Sequence, residues 1–194
     1  MTSSRTESRE ESLVCTEPLR LLEPTIALEG EYLEMAHEFR QAGDWSGWND
    51  DLEKGTRNFE AFVGELQDYA RGHGLPDGRV PCSVYWLARG NRLLGTASLR
   101  HRLTENLLHE GGHIGYGIRP SERRKGYATE LLALMLEKAR QRFIGRVLVT
   151  CDKDNTASAR VIQKNGGVLE DERLSRTTGK IKQRYWIELW NQAE

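Results

Sequence analysis

The chain reads as a mixed α/β protein with a central, mostly antiparallel mixed sheet and helices on both faces. Three observations predict this. Segments of strand-like apolar character alternate with segments of helical period, Gly- and Pro-containing turns separate them, and the strand-like residues 113–118 lead through a basic turn straight into an apolar helix.

Residues 19–22 make a first strand, ended by Pro24. Residues 28–39 then place Leu28, Tyr32, Leu33, Met35, Ala36 and Phe39 at helical spacing. Residues 43–55 break that pattern. A second helix follows over 58–70, with Phe59, Phe62, Val63, Leu66 and Tyr69 on one side, and the Gly/Pro-rich residues 72–81 form a loop. Residues 82–88 and 93–99 are two strands around the turn Arg89-Gly90-Asn91, which makes a hairpin. Residues 101–111 connect to a strand at 113–118. The helix over 129–143 turns Leu131, Leu132, Met135 and Ala139 to the sheet. A strand at 146–151, a helix at 157–165 stopped by Gly166, and a hairpin of 168–174 with 181–190 complete the chain. No internal repeat or low-complexity block interrupts it.

At 194 residues the chain suits one domain, expected over residues 16–194. Residues 1–15 carry Ser, Thr, Arg and Glu with almost no apolar content, the composition of a disordered tail rather than a signal peptide. A net charge of -1 argues against a nucleic-acid partner. No apolar run approaches the ~20 residues of a membrane span, so no membrane partner is expected. Cys15, Cys82 and Cys151 lack the spacing of a disulfide framework or zinc site, so the expectation is a metal-free protein of the cytoplasm.

The most informative stretch is Arg123-Arg124-Lys125-Gly126-Tyr127-Ala128, running into Thr129. The first N–H groups of a helix have no intrahelical partner and carry the positive end of its dipole, so a glycine-containing basic turn over them is an anion site. It is neither a Walker loop nor a dinucleotide fingerprint. The order Arg-x-x-Gly-x-Ala resembles the acetyl-coenzyme A pyrophosphate loop of the GNAT superfamily of N-acetyltransferases. The flanking runs Gly112-His113-Ile114-Gly115-Tyr116-Gly117-Ile118-Arg119-Pro120 and Asn155-Thr156-Ala157-Ser158 through Asn165-Gly166-Gly167 also look like that family's segments, in its order. The resemblance covers roughly residues 85–189 and implies the GNAT fold, with acetyl-CoA as co-substrate.

Within that resemblance, residues 123–129 take the pyrophosphate. Backbone groups near Gly117 and Ile118 hold the pantetheine arm and stabilise the developing oxyanion, while Asn155 and Ser158 meet the arm. Each position also has a plainer reading. Glycines two apart in a strand, Gly115 and Gly117, mark a bulge or tight packing as readily as cofactor approach, and Asn155 is a good N-cap. Many family members carry a Tyr where this chain has Ile162, so the group assisting the departing thiolate lies elsewhere, with Tyr116 and Tyr185 as candidates. His113 has the intrinsic pKa of a base for the attacking amine, and Glu110 is the second candidate. Cys151 is read as a packed residue.

For the acceptor, Asp44, Trp45, Trp48, Asp50 and Asp51 interleave carboxylates with indole faces, a pattern suited to a small cationic amine such as an aminoglycoside-type aminosugar, and hence to antibiotic resistance. The same stretch also reads as a solvated turn whose tryptophans pack in the core. The alternative is protein N-terminal acetylation of the ribosomal-protein type, since the Asn-x-x-Ser helix without the Tyr resembles that branch. A non-catalytic acetyl-CoA sensor is the remaining reading. GNAT domains often pair, and the apolar C-terminal strand with Tyr185, Trp186 and Trp190 serves either a homodimer contact or the core.

Overall fold

A computed structural model describes residues 17–43 and 49–190; the side chains of 49–52 and the expected tail, residues 1–15, lie outside the description. The strands are β1 (Leu19–Leu22), β2 (Cys82–Arg89), β3 (Arg92–Arg100), β4 (Ile114–Ile118), β5 (Arg146–Asp152), β6 (Val168–Leu174) and β7 (Ile181–Glu188). The helices are α1 (Glu29–Gln41), α2 (Asn49–Arg57), α3 (Phe59–Arg71), α4 (Tyr127–Gln141) and α5 (Thr156–Lys164). The strands form one sheet in the order β1-β2-β3-β4-β5-β7-β6. Neighbours run antiparallel except β4 and β5, which are parallel and share the single register pair Ile114 with Val149.

Strand alternation sends neighbouring side chains to opposite faces and so divides the core in two. Trp86, Ala88 and Leu93 pack with Tyr32 and Met35 of α1 and Phe62 of α3. Tyr85, Leu87 and Leu94 face the other way, into a cluster with Leu131, Leu132 and Met135 of α4. Leu94 is the extra residue of a bulge, since Leu87 pairs with Gly95 and Ala88 with Leu93. Helix α3 has the ends its sequence encodes: Asn58 Oδ1 accepts the Ala61 N–H at 3.0 Å, and Gly72 closes it at φ +83°.

Two expectations are corrected. Residues 43–55 do not simply break the helical pattern, because α2 starts at Asn49 and runs through Gly55. A Cβ at Gly55 would stand 2.5 Å from the Tyr32 ring, so this glycine marks the close approach of α2 to α1 rather than a helix end. Helix α4 stops at Gln141 instead of reaching Phe143, whose φ of +59° leaves the helical region.

One buried cation joins α1 to the sheet. Arg119, 2% exposed, donates from Nε to Glu38 at 2.6 Å, from Nη1 to Glu31 at 3.0 Å and from Nη2 to Glu34 at 3.0 Å. These carboxylates lie on one stripe of α1, and two of them reach further. Glu31 accepts the Leu93 N–H at 3.0 Å and Glu38 the Ser121 N–H at 2.9 Å. Burial pushes the Glu38 carboxyl up, but the bonds from Ser121 and Arg119 outweigh it and hold the carboxyl below its ordinary value. Arg119→Ala should therefore lower stability by on the order of 3 kcal/mol, read from the urea midpoint. Because the folded Glu38 carboxyl takes its proton at lower pH than the unfolded one, the wild type loses stability as pH falls through the carboxylate range. The variant should lose less over the same range.

Candidate active site

Past Ile114 and Val149, β4 and β5 pair no further, and the sheet opens as a wedge toward their C-terminal ends. A cavity of about 570 Å³ occupies that opening. Tyr116, Gly117 and Ile118 of β4 line one side, and Asn155, Ala157, Ser158 and Val161 at the start of α5 line the other. Arg123, Arg124, Gly126, Tyr127, Ala128 and Thr129 close its end. Phe39 of α1 and Thr96 of β3 also reach it, so the opening communicates with the α1 side of the sheet.

The basic turn gains its shape from two left-handed residues, Arg124 at φ +63° and Gly126 at φ +85°. The first is costly for a side chain, and the second is free only for glycine. No side chain caps α4, and Thr129 N–H turns back to the Gly126 carbonyl at 3.0 Å. The N–H groups of Tyr127 and Ala128 have no carbonyl within the helix to reach. This uncapped helix start, beside Arg123 and Arg124 in a cavity, fits a pyrophosphate. Lys125 behaves differently: its Nζ pairs with Glu122 at 2.8 Å and it is not part of the lining. Glu122 also receives Arg92 at 2.9 Å. Arg123 donates from Nε to the Ile118 carbonyl at 3.1 Å and lies 5.9 Å from the Phe39 ring centroid.

On the opposite wall Asn155 is the N-cap of α5, its Oδ1 accepting the Ser158 N–H at 3.0 Å, so capping and lining fall on one residue. The Ser158 Oγ stands 2.8 Å from the Tyr116 hydroxyl. Burial raises the Tyr116 phenol to about 12 and the neighbouring Cys151 thiol to about 11, so both keep their protons at neutral pH. Ile162 is fully buried in the core.

The candidate bases lie at the closed end of the wedge, outside the cavity lining. His113 N–H donates to the Leu148 carbonyl at 2.7 Å, and Leu148 N–H donates to His113 Nδ1 at 2.9 Å. The neutral ring thus carries its proton on Nε2. Burial, then the Arg100 charge, lowers its pKa to about 4. Glu110 lies in a π-helical turn, Leu107–Gly111, and accepts the Thr177 hydroxyl at 2.6 Å. Burial pushes its carboxyl up, but bonds from Ser175, Thr177 and the Arg176 N–H hold it low. Of the acceptor candidates, Asp44, Trp45 and Trp48 lie outside the described residues; Asp50 and Asp51 fall in the first turn of α2, their side chains undescribed. Sequence reasoning did not single out Phe39, Thr96 or Glu122 as site residues. Phe39 looked like an ordinary core position of α1, and the other two carried no signal.

Among the described residues no group of His, Cys, Asp and Glu is placed to hold a metal ion, and no helix is long and apolar enough to cross a membrane.

The family model for the acetyltransferase (GNAT) domain matches residues 19–168, and the chain belongs to that family. No curated protein matches the sequence. Among solved structures, RimL, the ribosomal L7/L12 α-N-protein acetyltransferase, in complex with coenzyme A in disulfide linkage to one of its cysteines, superposes with a TM-score of 0.64 at 19% identity, over 90% of this chain and 94% of that one. The putative acetyltransferase yncA of Salmonella typhimurium with acetyl-CoA gives 0.60 at 16% identity, over 91% and 96%. The microcin C7 self-immunity acetyltransferase MccE, with acetyl-CoA and AMP, gives 0.62 at 16% identity, over 88% and 92%.

The His113 geometry has a measurable consequence. Its ring stays neutral down to about pH 4 in the folded chain, whereas the unfolded chain takes the proton near 6.5. Stability should therefore fall as pH drops from 6.5 toward 4. His113→Ala should flatten that slope and, by leaving the Leu148 N–H without its acceptor, cost about 1–3 kcal/mol at neutral pH in urea unfolding.

Proposed function

We propose that the chain transfers the acetyl group of acetyl-CoA to a primary amine. The observation that carries this reading is the wedge between β4 and β5, with the uncapped start of α4 at one end and the Tyr116–Ser158 hydroxyl pair on its wall. Arg123, Arg124 and the first N–H groups of α4, with Gly126 allowing close approach, would hold the pyrophosphate. Backbone near Gly117 and Ile118, with Asn155 and Ser158, would hold the pantetheine arm. Lys125, tied to Glu122, adds charge to this turn from a distance.

The amine nitrogen attacks the thioester carbonyl carbon, the C–S bond breaks, and its electron pair leaves on sulfur. Ser158 and Tyr116 stand in for the aromatic hydroxyl missing at Ile162. Since Tyr116 keeps its proton up to about pH 12, the pair serves by hydrogen bonding to the departing thiolate rather than by giving up a proton. The attacking amine loses its own proton to water, with Glu110, held ionised by Ser175, Thr177 and the Arg176 N–H, as the remaining candidate base.

For the acceptor we favour a small cationic amine of the aminosugar type, a reading that rests on Asp44, Trp45, Trp48, Asp50 and Asp51. The second reading, a protein N-terminus, draws on the absent Tyr at Ile162 and on the RimL fold likeness. The free thiols Cys82 and Cys151 favour a reducing cytoplasm. A homodimer would use Trp190, 50% exposed, rather than Tyr185, 2% exposed in the core.

The test is thiol release from acetyl-CoA across aminoglycosides, polyamines and short peptides with free N-termini. Turnover confined to aminoglycosides upholds the first acceptor reading, and turnover confined to peptides replaces it with the second. On the preferred amine, Tyr116→Phe and Ser158→Ala should each lower kcat about tenfold, and Tyr116→Phe should leave affinity for acetyl-CoA by calorimetry unchanged. The double variant should cost little more than either, because the two hydroxyls act in series.

A further inference from the structure

Thr96 and Ser98 are 5% and 7% exposed, and neither hydroxyl has a hydrogen-bond partner among the described residues. Neither oxygen is among the buried side-chain atoms that lack a partner, so each keeps surface that a hydrogen-bonding ligand can reach. Thr96 stands opposite Gly117 in the β3–β4 register and Ser98 opposite Gly115, and directly paired residues share a face. That face is the α1 side, because a Cβ built on Gly117 would stand 3.5 Å from the Phe39 ring. Gly117 thus leaves a space that Phe39 covers, Thr96 borders it from across the register, and Ser98 follows two residues on along the same face of β3. Thr96 lines the same cavity that Ser158 and Tyr116 line from the other face of the sheet.

We infer that Thr96 and Ser98 form the subsite for the acceptor's amino nitrogen, a deepening that rests on the acetyl-transfer reading above. A hydroxyl oxygen accepting one N–H of the amine turns the nitrogen lone pair toward the wedge, where the thioester carbonyl is held beside Gly117. Attack forms the C–N bond, the C–S bond breaks with its pair on sulfur, and the surplus amine proton leaves to water. The only carboxylate among the described lining residues, Glu122, is already paired with Arg92 and Lys125, so in the described part of the site the amine is recognised by neutral hydroxyls. Thr96 and Ser98 position the nucleophile and leave the pyrophosphate turn untouched.

The experiment uses the full chain and the amine that the wild type acetylates fastest in the panel. Thr96→Val, which keeps shape and removes the hydroxyl, and Ser98→Ala should each lower kcat/KM for the amine about tenfold, mainly through its KM. Affinity for coenzyme A by calorimetry and the urea midpoint serve as controls for folding and for the coenzyme site, and Thr96→Ser should recover most of the loss. Unchanged kcat/KM in both variants, with the wild type active, overturns the subsite and leaves the acetyl-transfer reading standing. A wild type that binds coenzyme A but acetylates no amine overturns that reading and the subsite with it.

Discussion

Everything in the site hangs on how β4 meets β5. Two parallel strands that pair along their length leave no room between them, and two that do not pair leave the sheet in halves; here a single register pair, Ile114 with Val149, joins them at one end. The chain enters that junction from Gly112, at φ +66°, where a Cβ would stand 2.6 Å from the Leu148 carbonyl. Because the backbone has turned away there, the His113 ring supplies the acceptor that Leu148 N–H would otherwise find in a ladder. This assigns the histidine's Nδ1 to holding the wedge shut at its apex, and its low pKa follows from the same burial.

The open end of the wedge is set by different forces. The starts of α4 and α5 converge on it from either strand, one uncapped beside a strained basic turn and the other capped by Asn155. Arg119 then fixes what lies across the sheet. By gathering three carboxylates of α1 at the end of β4, it holds Phe39 against the space left by Gly117. The cation and the glycine are two residues apart in sequence, so one short segment shapes the passage and positions its cover.

Much of this was legible beforehand. The strand, basic turn and helix around Gly126 carry their chemistry in consecutive residues, and an anion site needs only the local geometry of a helix start. The helix ends at Asn58 and Gly72 and the hairpin at Gly90 were equally local. Helix α2 was not, because Gly55 reads as a breaker unless Tyr32 is known to press against it. Nor was the fate of Lys125, whose charge is taken up by Glu122, or that of His113, whose partner is 35 residues away.

The sequence by itself determined the alternation of elements, the helices on both faces of the sheet and the basic turn at a helix start, since periodicity, turn chemistry and helix-end electrostatics act over a few neighbouring residues. Only the tertiary structure decided which polar groups face the cavity and which are consumed in holding it. Thr96, which lines the cavity, and His113, which does not, look alike in a strand pattern, and what separates them is whether a distant backbone group arrives to pair with the side chain. That depends on the register of β3, β4 and β5, which no local run of residues encodes.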